Sequence, residues 1–584
     1  MVKIDIHFGE DKKVSYNLED RNQTEEDIEN EIKNDILPLL NIKEKVGIVV
    51  RKVNEDKYEA AILTMEQLLN KVKEQDKPLI KQKNPLHTFR TVHDPIHVNV
   101  ELPKYLWTYI IDTPEFQRLR GIFQLGTLPY VFPSLVHNRF GHSIGVAHLA
   151  SRWIRRFKKT QPELKITDEE VFCVEAAAVM HDMGHGPFSH AFEHGFVRKL
   201  DKEKYHVKWD HEMASCAFAR KLIGNMMKDK NNHQLKLEDK HVDMIERMIM
   251  GVDLDKELPD EVKGREFLYQ IVSNSWNSLD VDKFDYLARD TFYMNNSASA
   301  TFSIKRMLDL SRVIKGHICF KEKVADSLFS DIFVPRINLH RQIYGHRVAV
   351  SLDLMVGEMI EAFDHGQTNQ ELKISELFRF DDKKETLLDR DEEEFLKRYS
   401  RLIDQVLLAD IRFAIGEEFE KAQRLLNRIY SRDLYKLAGC IPLVDLPEDK
   451  AECSQAVENK KKVLKGIFKN KGLDEQIILH VQKYNYGMGS KNPMEKVYCY
   501  AESNPSVYYP YDIENEQALF PSKFEKTVVN IFVRERKYLE KASSIILSKD
   551  VADKGFKGKV SPYKSPVADL HLHAQNPKTL SFSP

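Results

Sequence analysis

Apolar and polar positions follow two different periods along this chain. Between residues 2 and 64 the period is two. Val2, Ile4, Ile6 and Phe8 alternate with Lys3, Asp5 and His7, as a half-buried strand requires. Lys13–Leu18 is placed to pair with it after a turn, and Val46–Val53 and Tyr58–Thr64 predict two further strands. Between the pairs, Thr24 and Asp27 form a capping-box pattern, and Ile28, Ile32 and Ile36 recur on one helix face before Pro38 stops it. The order β-β-α-β-β predicts a small α+β module over 1–74, of the β-grasp, ubiquitin-like kind, closed by a short helix at 66–74. The polar stretch 75–87, with Pro78 and Pro85, predicts a linker.

From 88 onward the helical period takes over. Thr113 caps a helix with Pro114 in its first turn and Phe116, Leu119 and Ile122 on one side. A helix over 142–157 follows. Thr167 with Glu170 opens an apolar helix that ends near His181. Continuous helices are predicted over 266–290, 304–312, 337–363 and 393–408, and strands over 314–323 and 494–508. The expected architecture is a mostly α catalytic domain over 88–365 and a smaller α+β lobe over 366–545. A disordered tail is expected over 546–584, polar and poor in core residues.

Composition narrows the class. Hydrophobic residues are 42% and charged residues 30% of 584, with net charge −2, which fits a globular chain without overall attraction to nucleic acid. Six cysteines (173, 216, 319, 440, 453 and 499) are scattered with no CxxC pair, as expected of reduced intracellular thiols rather than a disulfide frame. No apolar run is long enough to span a membrane. A nuclear or cytoplasmic protein is the expectation. Lys460, Lys461, Lys462, Lys465, Lys469 and Lys471 form a basic cluster, read as a solvated face or as an anion or nucleic-acid contact.

The chemistry concentrates in His181-Asp182-Met-Gly-His185-Gly-Pro-Phe-Ser-His190. Imidazole nitrogen and carboxylate together suit a divalent transition metal. Adjacent His181 and Asp182 diverge by ~100° on a regular helix and converge on one ion only at a helix end. Gly184, Gly186 and Pro187 supply that end. With His142 from the upstream motif and Asp282 from the downstream one, the set has two neutral and two anionic ligands. It leaves positions for water and substrate, an arrangement that makes a nucleophile near neutral pH. Arg139, Lys283, Arg289, Arg336, His340, Arg341 and Arg347 surround these motifs in sequence, as polyphosphate requires. Tyr286 and Tyr344 are candidates to contact a sugar or base, and His185, His190 and His211 to act as general acid or phosphate contacts.

Taken together, HDPIH (93–97), IIDTPEFQRLR (110–120), QLG (124–126), YVFPSLVHNRFGHSIGVAHLA (130–150), HDMGHGPFSH (181–190), DVDKFDYLARD (280–290), NLHRQIYGHRV (338–348) and YGMGSKNP (486–493) resemble a known family. It is the family of deoxynucleoside triphosphate (dNTP) triphosphohydrolases that carries SAM and HD domains in animals, within the HD-domain phosphohydrolases. The resemblance spans about residues 88–540. It implies a mostly helical fold that cleaves a dNTP to deoxynucleoside and inorganic triphosphate. It also implies one iron, zinc or manganese ion on His142, His181, Asp182 and Asp282, with magnesium on the nucleotide phosphates. By the same resemblance His190, His211, Glu193 and His185 are catalytic. Gln124, Leu125, Arg139, Lys283, Tyr286, Asp290, Arg336 and Tyr344 contact substrate.

The resemblance further implies a homotetramer assembled by GTP and dNTP activators. Asp112, Gln117 and Arg120 match the guanine-reading site, and Arg432 and Lys436 its phosphate contacts. Val131, Phe132, Arg312, His346 and Arg347 match the neighbouring dNTP site. Four positions depart from the family: Glu193 where an Asp is usual, Gly345 where a Gln is usual near the base, His93 for an Asn, and Gln342 for an Arg. No SAM pattern precedes the catalytic region, and the N-terminal module has a partner of its own to find. Two other readings follow from these departures. One is an HD phosphohydrolase acting on another nucleotide, which a substrate panel with and without GTP separates. The other is a catalytically silent nucleotide- or nucleic-acid-binding regulator, whose role would survive loss of His181 and Asp182.

Overall fold

The computed structural model describes the backbone of four strands within 2–64, and residues 88–560 apart from 201–208, 230–234, 257, 259–261, 295–302, 370–371, 379–391 and 448. By packing, the chain divides into two units, Met1–Thr88 and Phe89–Pro584.

In the first unit the strands are β1 (Val2–Phe8), β2 (Lys12–Leu18), β3 (Val46–Asn54) and β4 (Lys57–Thr64). Their order in the sheet is β2-β1-β4-β3, with β1 and β4 parallel and both outer pairs antiparallel. A parallel central pair demands a crossover between the two hairpins, which is the β-grasp connection. The helices expected around Ile28–Ile36 and over 66–74, and the 75–87 linker, lie outside the described residues.

The second unit is mostly helical. It opens with an unanticipated hairpin of β5 (Phe89–Asp94) and β6 (Val98–Pro103). Its centre is α1 (Arg139–Thr160) against α2 (Asp168–Met180). α2 begins in the capping box of Thr167 and Glu170, and every residue from Val171 to Met180 is buried. A stretch apolar on every side is stable only at the middle of a core, and its one carboxylate, Glu175, is satisfied there by Ser151 Oγ at 2.6 Å and Arg155 Nε at 2.7 Å. α3 (His190–Gly195) and α4 (His211–Lys228) follow in the chain.

The helix expected over 266–290 is two, α5 (Glu266–Val272) and α6 (Val281–Tyr293). Asn274 breaks it. Its side chain accepts from Trp276 N and donates to Leu279 O, offering the backbone a non-helical alternative, and Asp280 then caps α6. The helix expected over 304–312 stops at Asp309, and Arg312 lies instead on β7 (Ser311–Ile314), paired with β8 (His317–Lys321). The segment 337–363 is also interrupted. Residues His340–Tyr344 form a wide five-residue helical turn, and α7 (Arg347–Gly366) restarts after a cap by His346. Such widened turns recur at functional sites. The helix expected over 393–408 breaks at 400–403, and α8 (Asp404–Phe413) begins anew before α9 (Glu420–Tyr430).

The C-terminal part adds β9 (Lys436–Leu443), α10 (Lys450–Asn470), β10 (Ile477–Asn485), β11 (Tyr498–Ala501), β12 (Asn504–Pro510), β13 (Glu525–Val533) and α11 (Leu539–Ile546). One sheet, β10-β13-β9-β14 with β14 at Lys559–Val560, packs Ala438, Ile441, Val529 and Ile531 against Leu464 and Phe468 of α10 and Ala542 and Ile546 of α11. β12-β11-β8-β7 form the other. Residues 546–560, expected to begin a disordered tail, are ordered: β14 pairs with Gly439 and Cys440, and the rest of the expected tail, 561–584, lies outside the described residues. The lobes expected to part at 365 and 366 belong to one compact unit. The fold is a mostly α body with a small α+β C-terminal portion. Among the described residues, no helix is long and apolar enough to cross a membrane.

Candidate active site

α1, the end of α2 and the start of α6 bring four side chains to one point. His142 lies one turn into α1, behind the cap that Asn138 makes by accepting from Gly141 N. His181 is the C-terminal cap of α2, and Asp182 follows it off the helix axis, so the adjacent pair converges. Asp282 sits in the first turn of α6. His142 Nε2 lies 3.1 Å from Asp282 Oδ1 and 3.5 Å from Asp182 Oδ2. His181 Nε2 lies 3.6 Å from Asp282 Oδ1 and 3.5 Å from Asp182 Oδ1. His142, His181 and Asp282 are spaced to hold one ion.

The donor set fits a divalent metal on its own chemistry. Both Nε2 atoms are buried and lack a hydrogen-bond partner, an expensive arrangement unless something binds them. Both opposite nitrogens are committed. His142 Nδ1 donates to Asp285 Oδ2 at 2.8 Å, and His181 Nδ1 to Ala178 O at 2.8 Å. That fixes each ring with Nε2 as the ligating atom. The field also calls for a cation. Burial pulls His142 down, yet the Asp282, Asp285 and Asp182 carboxylates around it outweigh that and raise it to about 10. His181 is raised too, against burial, by Asp182 and Asp282.

A buried scaffold stands behind His142. Asp285 accepts from His97 Nε2 at 2.6 Å and from Arg289 Nε and Nη2 at 2.8 and 2.9 Å. Arg289 reaches on to Asp94 at 3.0 Å. His97 and Asp94 come from the β5–β6 turn, where Asp94 Oδ1 accepts from Ile96 N and His97 N. Arg289, expected beside substrate, is instead fully committed to this scaffold, at 2% exposure.

Beside the quartet lies a three-imidazole group. His185 Nε2 is 3.4 Å from Asp182, and its ring stacks on His211 at 3.8 Å between centroids. His211 Nδ1 donates to Glu193 Oε2 at 2.9 Å, while His190 lies 3.8 Å from the same oxygen. The longer Glu therefore reaches the imidazole that an Asp would serve. Burial raises Glu193, but His190 and His211 hold it far below the carboxylate range. His211 is raised by Glu193 and Glu212 against burial, whereas burial and neighbouring cations lower His185 and His190. Gly184 and Gly186 make this packing possible. A Cβ at 184 would fall 2.0 Å from His211 O, and one at 186 would fall 2.4 Å from the Phe192 ring.

Arg139 spans the pocket. It pairs with Asp182 through Nη1, donates to Ser189 Oγ at 2.9 Å and to Gln124 O at 3.2 Å. Gln124 Oε1 is buried and unpartnered, with Leu125 beside it. Lys283 is 3.2 Å from Asp280, and Arg336 bonds Asn485 of β10 while its Nε is unpartnered. Asp290 accepts from His137 at 2.7 Å and from the Tyr344 hydroxyl. His340 is held neutral, at about 3, by burial and by Arg336, His190 and Lys283. Tyr286 is raised chiefly by burial. Arg341 is exposed on the wide turn that carries Tyr344. Gly345 faces β10, where an added Cβ would lie 2.1 Å from Gln482 Nε2, so β10 occupies the space a longer residue would need.

The activator candidates fall into three places. Asp112, Gln117 and Arg120 are neighbours: Arg120 Nε donates to Gln117 Oε1 at 2.8 Å, and Asp112 pairs with Arg90. Arg432 donates to Tyr130 O at 2.7 Å, and Lys436 is lowered by burial and by Arg536, Arg432 and Arg347. Phe132 meets His346 edge-on at 5.5 Å, with Val131 adjoining. Arg312 stands apart on β7, over Tyr500. His93 and Gln342 are exposed.

Reading the chain by motif missed Asp404. From the start of α8 it accepts from Phe123 N at 2.9 Å and Phe188 N at 2.7 Å, tying the Gln124 loop to the His190 loop. At Phe188 and Ser189 φ is +58° and +54°, strained for side-chain-bearing residues. A lone Asp before an apolar run reads as a cap, so no local signal marked it.

The HD domain family matches residues 139–290, the segment that supplies all four converging side chains. That places the chain among HD-domain proteins. It is 34% identical over 455 residues to "Deoxynucleoside triphosphate triphosphohydrolase SAMHD1 homolog" of Dictyostelium discoideum, covering 78% of this chain and 79% of that protein. Over 475 residues it is 34% identical to the SAMHD1 enzyme of Bos taurus (77% and 75%), and over 470 residues 33% identical to that of Homo sapiens (77% and 71%). The chain belongs to the SAMHD1 deoxynucleoside triphosphate triphosphohydrolase family.

Proposed function

We propose that this protein hydrolyses dNTPs to deoxynucleoside and inorganic triphosphate. The observation that carries the reading is the convergence of two buried, unpartnered imidazole nitrogens with Asp182 and Asp282, next to the Glu193–His211 pair. His142, His181, Asp182 and Asp282 would hold one iron, zinc or manganese ion. Such an ion, when bound, supplies positive charge for the α-phosphate and makes water more acidic. The chain's own groups do the rest. Arg139, Lys283 and Arg336 bind the triphosphate, with magnesium on its outer oxygens. Gln124 and Leu125 close on the deoxyribose. Water adds to the α-phosphorus, the bond to the 5′-oxygen breaks, and His211 or His190 gives that oxygen its proton. Gly345 hands part of the base pocket to Gln482 and Tyr484 of β10.

Regulation is part of the proposal. Asp112, Gln117 and Arg120 would read guanine while Arg432 and Lys436 take its phosphates, with assembly to a tetramer. His93 and Gln342 weaken the neighbouring dNTP site. Purified protein incubated with each dNTP, with and without GTP, is expected to release deoxynucleoside and tripolyphosphate. Release of pyrophosphate or monophosphate would exclude the reaction. Mass measurement with GTP and dNTP reports assembly.

Glu193→Gln tests the proton donor. Glu193 raises His211, so its neutral replacement lowers His211 and the alkaline limb of the pH–rate profile moves to lower pH. At pH 8 kcat is expected to fall roughly 10²-fold, the scale of a general acid. An unmoved alkaline limb would remove His211 from that role. The pair also couples to stability. His211's share is present below its unfolded value of about 6.5 and is lost as pH rises through its folded value. Glu193's share is present above its unfolded value and is lost as pH falls.

A further inference from the structure

Away from the catalytic pocket, the second unit holds a cleft of about 750 Å³ between α7, α9, α10 and β10. The basic cluster read from the sequence contributes Lys461, Lys462 and Lys465 of α10 to one wall. α9 supplies Lys421, Arg424 and Arg428, and Lys199 and Arg534 complete the cationic set. These eight Lys and Arg side chains face four carboxylates, Glu358, Glu361, Glu458 and Asp474, an excess of 8 − 4 = 4 positive charges. The excess is concentrated in particular groups. Arg534 and the Tyr435 hydroxyl bind Glu358, Lys461 pairs with Glu458, and Arg428 pairs with Asp433. Among the described residues, no carboxylate lies within ion-pair distance of Lys421, Lys462 or Lys465.

Unneutralised like charges lining a concave surface repel one another and focus a positive potential into it. A compact anion carrying several charges relieves that repulsion at many contacts at once. The size is right for a small ligand, and the floor of Leu425, Ile477 and Leu479 gives it a rigid base. The aromatic side chains here, Tyr435 and Phe468, are buried at 4% and 1% exposure. They offer no open ring for a base, which single-stranded nucleic acid recognition uses. The cleft therefore reads phosphate groups rather than bases.

We infer that this cleft binds a compact anion bearing three or more phosphate groups, at a site separate from the metal centre. Two sources share that chemistry: inorganic tripolyphosphate, the co-product of the proposed reaction, and a polyphosphorylated inositol. The cleft joins the catalytic region through one segment. His190 and Glu193 lie at the start of 190–199 and Lys199 at its end, and Gly195 packs directly on Gly357 of α7.

The full chain is titrated calorimetrically with sodium tripolyphosphate and, separately, with inositol hexakisphosphate. The comparison is with Lys462→Glu/Lys465→Glu and with the milder Lys462→Gln/Lys465→Gln, both at exposed positions, with thermal unfolding as the check on folding. One binding event per chain is expected to weaken by roughly tenfold or more in the Glu variant and by less in the Gln variant. The same event persists in His181→Ala/Asp182→Ala, and basal dNTP hydrolysis is unchanged in Lys462→Gln/Lys465→Gln. The arm that binds more tightly identifies the source. Equal binding by wild type and the Glu variant overturns the inference, as does an absence of binding by both anions. Lysine-dependent binding of a 20-nucleotide single strand, with neither small anion bound, replaces it with a nucleic-acid surface. Loss of hydrolysis under all conditions, with the cleft event intact, would count against the proposed function and not against this site.

Discussion

Replacing His181 by Ala is expected to reduce bound transition metal to background and to slow dNTP hydrolysis by about 10³-fold or more, some 4 kcal/mol of transition-state stabilisation. The expectation follows from the commitment of both ring nitrogens. Nδ1 is spent on Ala178 O, so Nε2 has only the shared point to serve. Metal per chain, read by mass spectrometry of the digested protein, comes first and activity second. The control is His190→Ala. His190 touches Glu193 rather than the quartet, so metal content should stay at the wild-type level while kcat falls. Full metal in the His181 variant would mean the ligand set is wrong. Lost metal with intact hydrolysis would detach the metal from the chemistry.

How much of this centre was legible depended on whether a residue's partner lies close in sequence. His181, Asp182, His185 and His190 sit within one short segment whose glycines and proline mark a helix end, and the fold puts that segment where the pattern implied. The capping box at Thr167 and Glu170 was equally visible, because capping is local. The strands of the N-terminal sheet show period-two alternation and appear within a residue or two of their expected bounds. Interrupted helices were not legible. The break at 273–280 depends on Asn274 bonding Leu279 O, and that at 340–346 on a widened turn. Neither disturbs the apolar periodicity that makes the segment look continuous. Least visible were groups joined across long separations. Asp404 lies more than two hundred residues from the loops it ties together, and Asp94 nearly two hundred from Arg289. The position expected to contact substrate, Arg289, carries the same charge either way; only its burial reveals that it serves Asp285 instead.

That burial makes loss of Arg289 costly to stability. It holds two carboxylates, Asp285 at 0% and Asp94 at 3% exposure, and Asp285 in turn orients His142. Burial alone would raise Asp285. Arg289, with the hydrogen bonds from His142 and His97, holds it far below the carboxylate range. Arg289→Ala leaves two anions in the core without their cation, a change expected to cost about 3–5 kcal/mol. The sign with pH follows from the depressed value. Asp285's contribution is present above its unfolded value, near 4, and is lost as pH falls through the acid range. In the variant Asp285 titrates upward, so acid unfolding should begin at higher pH. Arg289→Lys keeps the charge but loses the fork that grips both oxygens, and should fall between. Asp285→Asn separates the two roles of the network. It keeps the shape, relieves Arg289 of one anion, and should cost the metal site about 10–100-fold in affinity through a weaker hold on His142. Denaturant unfolding and metal titration on the three variants distinguish these effects. If Arg289→Ala unfolds like wild type, the scaffold is not what keeps His142 in place, and orientation of the ring must come from α1 alone.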